Sequence, residues 1–178
     1  MKVVLTRPNY HSHLITPQLG MGYISSYINK RGFDATIIDG LNLDLSVQEI
    51  ADCCHDADVV GIGCLTDFFS EVIALSRELK KRGKVVVIGG PHATGLPEVT
   101  LQKTGADYVI VGEGELTFCE LLLAINNNQP VDGIEGVVTP TTNGISRRAS
   151  IENLDDIPFP DWKQMDPRYY MKAPHGGL

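Results

Sequence analysis

The feature that most constrains the fold is an alternation of short apolar runs with longer amphipathic segments, repeated five times within the first 126 residues. The fourth run, residues 85–88, is a continuous Val-Val-Val-Ile sequence, which is typical of a strand covered on both faces. The longer segments carry apolar residues at helical spacing, as at Val72, Leu75 and Leu79. This alternation predicts a parallel sheet with helices on both of its faces.

The predicted elements define a topology. We predict strands over residues 3–5, 35–38, 59–63, 85–88 and 108–111, and helices over residues 17–31, 46–55, 70–82, 97–104 and 115–126. For this length, the α/β class that fits best is the doubly wound, flavodoxin-like (Rossmann-like) sheet, mostly parallel and five-stranded, with strand order 2-1-3-4-5. Beyond it, the turn sequence Asn143-Gly144 predicts a β-hairpin over residues 134–148 that extends the sheet edge.

Charge and cysteine usage exclude several classes of function. The net charge is −7 and the isoelectric point is near 5.1, which argues against a nucleic-acid partner, because duplex binding needs a basic surface. The sequence contains no apolar run of about 18 residues, so no membrane span is predicted. The cysteines lack metal-site spacing, and we predict unpaired thiols in a cytoplasmic protein, with no metal ion held by its side chains. They are Cys53, Cys54, Cys64 and Cys119.

The last segment, residues 149–178, has a different composition. Four of the ten prolines and four of the twelve aromatic residues lie between 158 and 178, without helical or strand periodicity. A free tail does not usually carry a tryptophan and three other aromatic residues. We therefore predict a connector that packs on another surface, and we expect that surface to lie outside this chain.

Topology also predicts where a ligand binds. In open parallel sheets, ligands lie beyond the carboxyl ends of the strands. The loops expected there are residues 6–16, 64–69, 89–96 and 112–115. The last two carry the glycines Gly89-Gly90 and Gly112 with Gly114, and a missing side chain lets a ligand approach the backbone. The simpler alternative is that these glycines only form tight turns between strands and helices.

Several motifs of nucleotide-binding and hydrolytic enzymes are missing. The sequence has no GxxxxGK[ST] phosphate loop and no GxSxG nucleophile elbow. The segment beginning Gly20-Met21-Gly22 lacks the third glycine of GxGxxG, and it lies well after the first strand. NTP hydrolysis and NAD binding are therefore disfavoured.

Four segments, taken in order, resemble a known family. They are PQLGMGYI with KRGF (17–24 and 30–33), DVVGIGCLT (58–66), VIGGPHAT (87–94) and ADYVIVGEGE (106–115). They resemble the cobalamin-binding (B12-binding) domain at the N-terminus of B12-dependent radical S-adenosylmethionine (SAM) proteins, in the version of the methyltransferase and cyclase groups. The resemblance covers nearly the whole chain and includes NLDDIPFPDW at 153–162.

The resemblance implies a domain organisation and a function. It implies a cobalamin-binding domain over residues 1–148 and a connector, 149–178, toward a radical SAM domain outside this chain. That domain opens with a CxxxCxxC motif, which these residues lack, so we expect a fragment whose parent also holds a [4Fe–4S] cluster and SAM. This chain is then expected to bind cobalamin, in its base-off methylcobalamin form, for methyl transfer to a substrate radical, and to catalyse nothing alone.

Topology and resemblance together indicate the cofactor-binding residues. These are Thr6, Tyr10, His11, Gly20, Gly63, Cys64, Leu65, Thr66, Gly89, Gly90, Pro91, His92, Gly112, Glu113, Gly114 and Glu115. Gly89-Gly90 matches the GG motif of the family, whose glycines make room for the nucleotide tail. Gly63 stands where the SxL motif has a serine, so a hydroxyl for the dimethylbenzimidazole base is missing, and Thr66 is an alternative source.

The family's cobalt-ligand motif, DxHxxG, is not kept. In the matching window, Ile15 replaces the aspartate and Pro17 replaces the histidine, so no cobalt ligand is expected there. Either the lower cobalt face is vacant or water-bound, which we favour because it suits methyl transfer to a carbon radical, or Tyr10, His11 or His13 reaches it. Two other functions remain open: a B12-like structural or docking module that has lost cobalamin, and a flavodoxin-like domain that binds a nucleotide or flavin.

Overall fold

The computed structural model describes residues 1–12, 14–142 and 144–170. Its strands are β1 (Lys2–Arg7), β2 (Asp34–Asp39), β3 (Val59–Gly63), β4 (Val85–Gly89), β5 (Tyr108–Ile110) and β6 (Val137–Val138). Its helices are α1 (Leu19–Asn29), α2 (Val47–Cys53), α3 (Phe69–Lys81), α4 (Pro91–Gly95), α5 (Pro97–Thr104) and α6 (Gly114–Asn126). Within the described ranges, no helix combines the length and apolar character that crossing a membrane requires.

The strands form one sheet in the order β2-β1-β3-β4-β5-β6. The first five are parallel, and β6 is antiparallel to β5. The predicted α/β class and the order 2-1-3-4-5 are confirmed, and the sixth strand extends that order at one edge. The carboxyl ends of the parallel strands therefore lie together along one side of the sheet.

Two apolar layers hold the helices on the sheet. On one face, Ile50 of α2 and Leu75 of α3 pack over Val60 and Ile88 of the sheet, and all four are fully buried. On the other face, Ile28 of α1 and Leu121 of α6 pack over strand residues that include Val3, Leu5, Val59 and Val87. Because the central strands β3 and β4 are covered on both faces, their sequences are continuously apolar or glycine rather than alternating.

Local signals explain several helix ends. Ser46 begins α2 as predicted: its hydroxyl accepts from the Glu49 N–H, and the Glu49 carboxylate accepts from the Ser46 N–H (2.8 Å). Gly105 ends α5 with φ +68°, a left-handed conformation that glycine adopts readily. Helix α4 is not among the predicted helices, because its five residues are too few to show a periodic pattern.

The predicted hairpin over residues 134–148 is only partly formed. Its first arm contains β6, and the Gly136 N–H donates to the Ser146 carbonyl (2.7 Å), but residues 145–148 form no strand. Instead, Arg148 turns toward α6, where its Nε donates to the Thr117 hydroxyl (3.0 Å) and its Nη2 pairs with Glu120. Asn143, in the predicted turn, lies outside the described residues.

Part of the connector packs on this domain. Met165 is fully buried against α1, so closely that a Cβ on Gly22 would lie 2.0 Å from its Cε. The Gln164 amide accepts from the Ile37 N–H (2.8 Å) and donates to the Ala35 carbonyl (3.0 Å). These groups belong to the edge strand β2, so Gln164 satisfies backbone groups that an edge strand leaves unpaired.

Other parts of the connector remain exposed. Phe159 is 85% exposed, Tyr169 is 72% exposed and Trp162 is 44% exposed. Short 3-10 helices form at Leu154–Asp156 and Pro167–Tyr169, although no periodicity predicts them. The buried part of this segment thus packs on this chain, and its packing against a surface outside the chain stays a prediction.

Met165 tests whether the connector contributes to stability. We expect Met165→Ala to lower the free energy of unfolding by about 2–5 kcal/mol, because it removes a fully buried side chain from a tight contact. Lys163→Ala, at an exposed position two residues away, should change it by less than about 0.5 kcal/mol. Denaturant unfolding measures both, and equal, small effects would show that the connector packs only loosely.

Candidate functional site

A cavity of about 570 Å³ opens at the carboxyl edge of the sheet. Its wall includes the segment after β1, the start of α1, the glycine turn after β4 and the segment between β5 and α6. It continues below the edge, between the sheet and helices α1 and α6, where its lining is apolar and includes Leu5, Ile24, Val87, Ile110 and Phe118. The site therefore combines an open mouth with a deep apolar slot.

The floor of the slot is made by strand glycines. Gly61 pairs in register with Leu5 and Val87, which face α1 and α6, and Gly63 is two residues further along the same face. Gly63 in turn pairs with Gly89 of β4. A Cβ on Gly89 would meet no heavy atom closer than 4.0 Å, so the missing side chain leaves space open to the cavity.

Gly90, which follows Gly89, has a different structural role. Gly90 has φ +105°, and a Cβ there would lie 2.7 Å from the Cys64 carbonyl oxygen. Around this contact the Cys64 N–H donates to the Gly89 carbonyl (2.8 Å), and the His92 N–H donates to the Cys64 carbonyl (3.2 Å). Gly90 thus allows the turn after β4 to lie directly against the turn after β3.

A buried ion pair fixes the wall that follows β1. The Arg7 guanidinium binds Asp39 with two hydrogen bonds of 2.7 Å, and both residues are buried. Arg7 Nη2 also donates to the Thr16 carbonyl (2.8 Å), which holds the end of the loop. At the middle of the loop, the Tyr10 ring stacks on buried Phe68, with ring centroids 4.4 Å apart.

Two acidic residues lie in the wall beside α6. Glu115 is partly buried, and burial raises the pKa of its carboxyl above the usual range. Glu113 is exposed, and its carboxylate accepts a hydrogen bond from the Ile151 N–H (2.8 Å), which ties the connector to this loop. Glu113 therefore has a structural partner as well as a place in the cavity wall.

Most of the predicted site residues line this cavity. They are Tyr10, Gly20, Gly63, Leu65, Gly89, Gly90, Pro91, Gly112, Glu113, Gly114 and Glu115. The structure does not bring Thr6, His11, Cys64, Thr66 and His92 into the lining. Pro17, at the position of the family's cobalt-ligating histidine, does line the cavity.

The residues outside the lining have other environments. Thr6 is buried within β1. The Thr66 hydroxyl is engaged with His92 Nδ1 (3.0 Å), so it is not directed to the cavity as a replacement for a serine at position 63. Burial raises the pKa of the Cys64 thiol to about 12, which keeps it protonated.

His11 of the first loop does not form a metal site with the other described residues. Exposed His11 lies in a separate surface depression beside Asp44 and Ser46. His13 lies outside the described residues, so its proposed approach to cobalt stays a prediction. Among the residues that the structure describes, no cluster of three or more histidine, cysteine or acidic side chains could hold a metal ion.

Among the lining residues that sequence reasoning missed, three shape the site most directly: Arg7, Gln18 and Gly61. Arg7 and Gln18 line the cavity, but their side-chain directions depend on packing that no local motif encodes. Gly61 was detectable in principle, because two glycines spaced by two residues in a buried strand clear one face of a sheet.

The adjacent glycines allow a direct comparison. We expect Gly90→Ala to lower the free energy of unfolding by about 1–3 kcal/mol, because alanine at this φ is strained and its Cβ would also contact the Cys64 backbone. Gly89→Ala should change the free energy of unfolding by less than about 1 kcal/mol, because its Cβ would enter free space. Denaturant unfolding separates the two, and similar losses would contradict the assignment of different tasks.

Comparison with known proteins gives the family. The family model for the B12 binding domain matches residues 10–122. An uncharacterized methyltransferase, PH0819 of Pyrococcus horikoshii, is 35% identical over 177 residues, which cover 91% of this chain and 38% of that protein. The cobalamin-dependent radical SAM methyltransferase TokK of Streptomyces tokunonensis is 32% identical over 127 residues, covering 64% of this chain and 18% of TokK.

A solved structure shows the same fold. The cobalamin-dependent SAM radical enzyme OxsB, with aqua-cobalamin and SAM bound, superposes with a TM-score of 0.77 at 17% identity over 94% of this chain and 25% of OxsB. The chain thus spans well under half the length of these proteins. The matched family model covers the loops and helices that build the cavity, and the chain belongs to the B12-binding domain family.

Proposed function

We propose that this chain is the cobalamin-binding module of a B12-dependent radical SAM methyltransferase. The observation that carries the proposal is the glycine-floored slot beneath α1 and α6, which opens at the carboxyl edge of the sheet. Its volume of about 570 Å³ falls in the range of small-molecule sites, and its walls are largely apolar. Such a slot suits the flat nucleotide base of cobalamin, while the wider mouth suits the corrin ring.

The residues present fit the cofactor on three further grounds. Gln18 Oε1 is buried in the cavity wall without a hydrogen-bond partner, which is the kind of atom that a polar ligand satisfies. Cβ atoms on Gly20 and Gly112 would meet nothing within 4 Å, so the backbone there is open to close approach. The partly buried Glu115 offers an oxygen for the carboxamides that surround a corrin ring.

We further propose that cobalamin is held base-off, with no protein ligand on cobalt. Pro17 occupies the place of the family histidine in the cavity wall, and its side chain has no atom that can coordinate a metal. His11 lies in another depression. When bound, methylcobalamin supplies the methyl group, and the chemistry of the radical step belongs to a [4Fe–4S] and SAM domain in the longer protein.

The role of this chain is then to bind, orient and shield the cofactor. The ion pair between Arg7 and Asp39 fixes the loop that forms one wall, and the turn at Gly90 fixes another. The apolar slot excludes water from the nucleotide base. No residue of this chain is assigned to a chemical step on the substrate.

Corrinoid retention tests the proposal. The purified chain is incubated with hydroxocobalamin and desalted, and we expect nearly one corrinoid per chain with a base-off absorbance spectrum. After reduction to the Co(II) form, the electron paramagnetic resonance signal should show no hyperfine splitting from an axial nitrogen. A nitrogen splitting would contradict the ligand-free cobalt, and failure to retain corrinoid would contradict the module itself.

Gly89 provides a matched variant for the same assay. Gly89→Val directs a side chain into the open floor, and we expect it to weaken cobalamin binding at least tenfold with little change in stability. Gly95→Val, at an exposed glycine of α4 with nothing within 4 Å of its Cβ position, is the control. Equal affinities for both variants, or flavin mononucleotide binding in place of corrinoid, would favour a different ligand.

A further inference from the structure

The cavity wall contains one polar atom that calls for a ligand. Among the described residues that line the cavity, one buried side-chain polar atom has no hydrogen-bond partner, and that atom is Gln18 Oε1. Asn42 Oδ1 and His92 Nε2 share this property, but they lie outside the lining. A buried polar group without a partner is costly, so its presence in a binding cavity indicates that a ligand pairs with the amide.

The Gln18 amide occupies the space of a missing side chain. An ideal Cβ on Gly63 would lie 2.8 Å from Gln18 Oε1 and 2.9 Å from Nε2. Any side chain at position 63 would therefore displace the amide. Glycine at position 63 and glutamine at position 18 form a matched pair, in which the polar group comes from the residue that precedes α1 instead of from β3.

The backbone holds Gln18 in a defined position. Its carbonyl accepts from the Met21 N–H (3.0 Å) and the Gly22 N–H (3.4 Å) in the first turn of α1. Its side chain does not cap the helix. The amide is instead directed across the slot to β3, beside the open space above Gly89.

The surroundings define what the amide can recognise. The slot below it is lined by Leu5, Val87, Ile110 and Phe118, which suits a flat aromatic group. A benzimidazole that has left cobalt carries a free ring nitrogen, which is a hydrogen-bond acceptor. A primary amide can present either its N–H or its carbonyl after a half-turn about its last torsion, so it can donate to such a nitrogen.

We propose that Gln18 is a specificity-determining residue that selects the nucleotide base of the bound corrinoid, donating a hydrogen bond to the free ring nitrogen of a benzimidazole. This inference rests on the proposed function, and it goes further by assigning a role to a residue at an unspecified (x) position of the DxHxxG window. It also replaces Thr66 as the substitute for the missing serine, because the Thr66 hydroxyl is engaged with His92. Gln18 positions the cofactor and takes no part in chemistry.

Two corrinoids test the inference. Cobalamin has a benzimidazole base, whereas p-cresolyl cobamide has a phenolic base without a ring nitrogen. We expect Gln18→Leu to weaken cobalamin binding about three- to tenfold, the worth of one neutral hydrogen bond, and to leave p-cresolyl cobamide binding within about twofold. For each corrinoid, the affinity of the variant is divided by the affinity of the unchanged chain, and the two ratios are compared. Absolute affinities are not compared, because only cobalamin must first release its base from cobalt. Gln102→Leu, on the exposed side of α5, is the control.

A second pair of variants uses the match between positions 18 and 63. Gly63→Ser alone should weaken both corrinoids, because its Cβ would collide with the Gln18 amide. The double variant Gln18→Ala with Gly63→Ser removes that collision and supplies a hydroxyl, so the preference for the benzimidazole base should return. Thermal unfolding of each variant shows that the comparison is made on folded protein.

The outcomes separate the two proposals. Selective loss of cobalamin binding in Gln18→Leu, with recovery in the double variant, supports the inference. Equal losses for both corrinoids, or no loss for either, overturn it while leaving the cobalamin module in place. If the unchanged chain retains neither corrinoid, the proposed function fails and the inference fails with it.

Discussion

The glycines toward the carboxyl ends of β3 and β4, on the face under α1 and α6, are the constraint on which the site depends. A parallel sheet covered by helices normally fills the space between them with apolar side chains, at a packing density close to that of a crystal. Gly61, Gly63 and Gly89 interrupt this filling under α1 and α6: Leu5 and Phe118 lie over Gly61, the Gln18 amide lies over Gly63, and the space over Gly89 is open. The result is a slot inside an otherwise continuous core layer. The helices still pack, because residues such as Ile28 and Leu121 lie away from the glycines and remain fully buried.

The walls of the slot are fixed by contacts at its edges. On one side, the ion pair between Arg7 and Asp39 spans the neighbouring strands β1 and β2, where the two residues are register partners. A buried charge without its partner is strongly disfavoured, so this pair has few alternative arrangements. Because Arg7 also binds the Thr16 carbonyl, the same constraint reaches the loop that leads into α1.

The sequence predicts the sheet in detail, but it predicts the site only in outline, and both results have physical reasons. The strands and the capping box at Ser46 depend on neighbours in the chain, so local patterns reveal them. The location of the cavity follows from the parallel topology. Gln18 and Arg7 escape prediction because their roles depend on partners 45 and 32 residues away, whose proximity is known only once the sheet is assembled. Thr66 follows the segment that matches the SxL motif and is predicted to supply the missing hydroxyl. Its hydroxyl instead pairs with His92, a contact that the sequence does not reveal.

The connector links the outer edge of the domain to the wall of the cavity. Tyr170 is buried beside Asp39, and burial together with the negative charge of this carboxylate raises the pKa of its phenol. A continuous set of contacts thus runs from Tyr170 through Asp39 and Arg7 to the Thr16 carbonyl. Since Met165 and Gln164 hold the connector against α1 and β2, displacing it would expose the edge strand and remove the phenol that lies beside a buried carboxylate. The position of the connector and the shape of the cavity are therefore physically coupled, although no connector residue lines the cavity among those described.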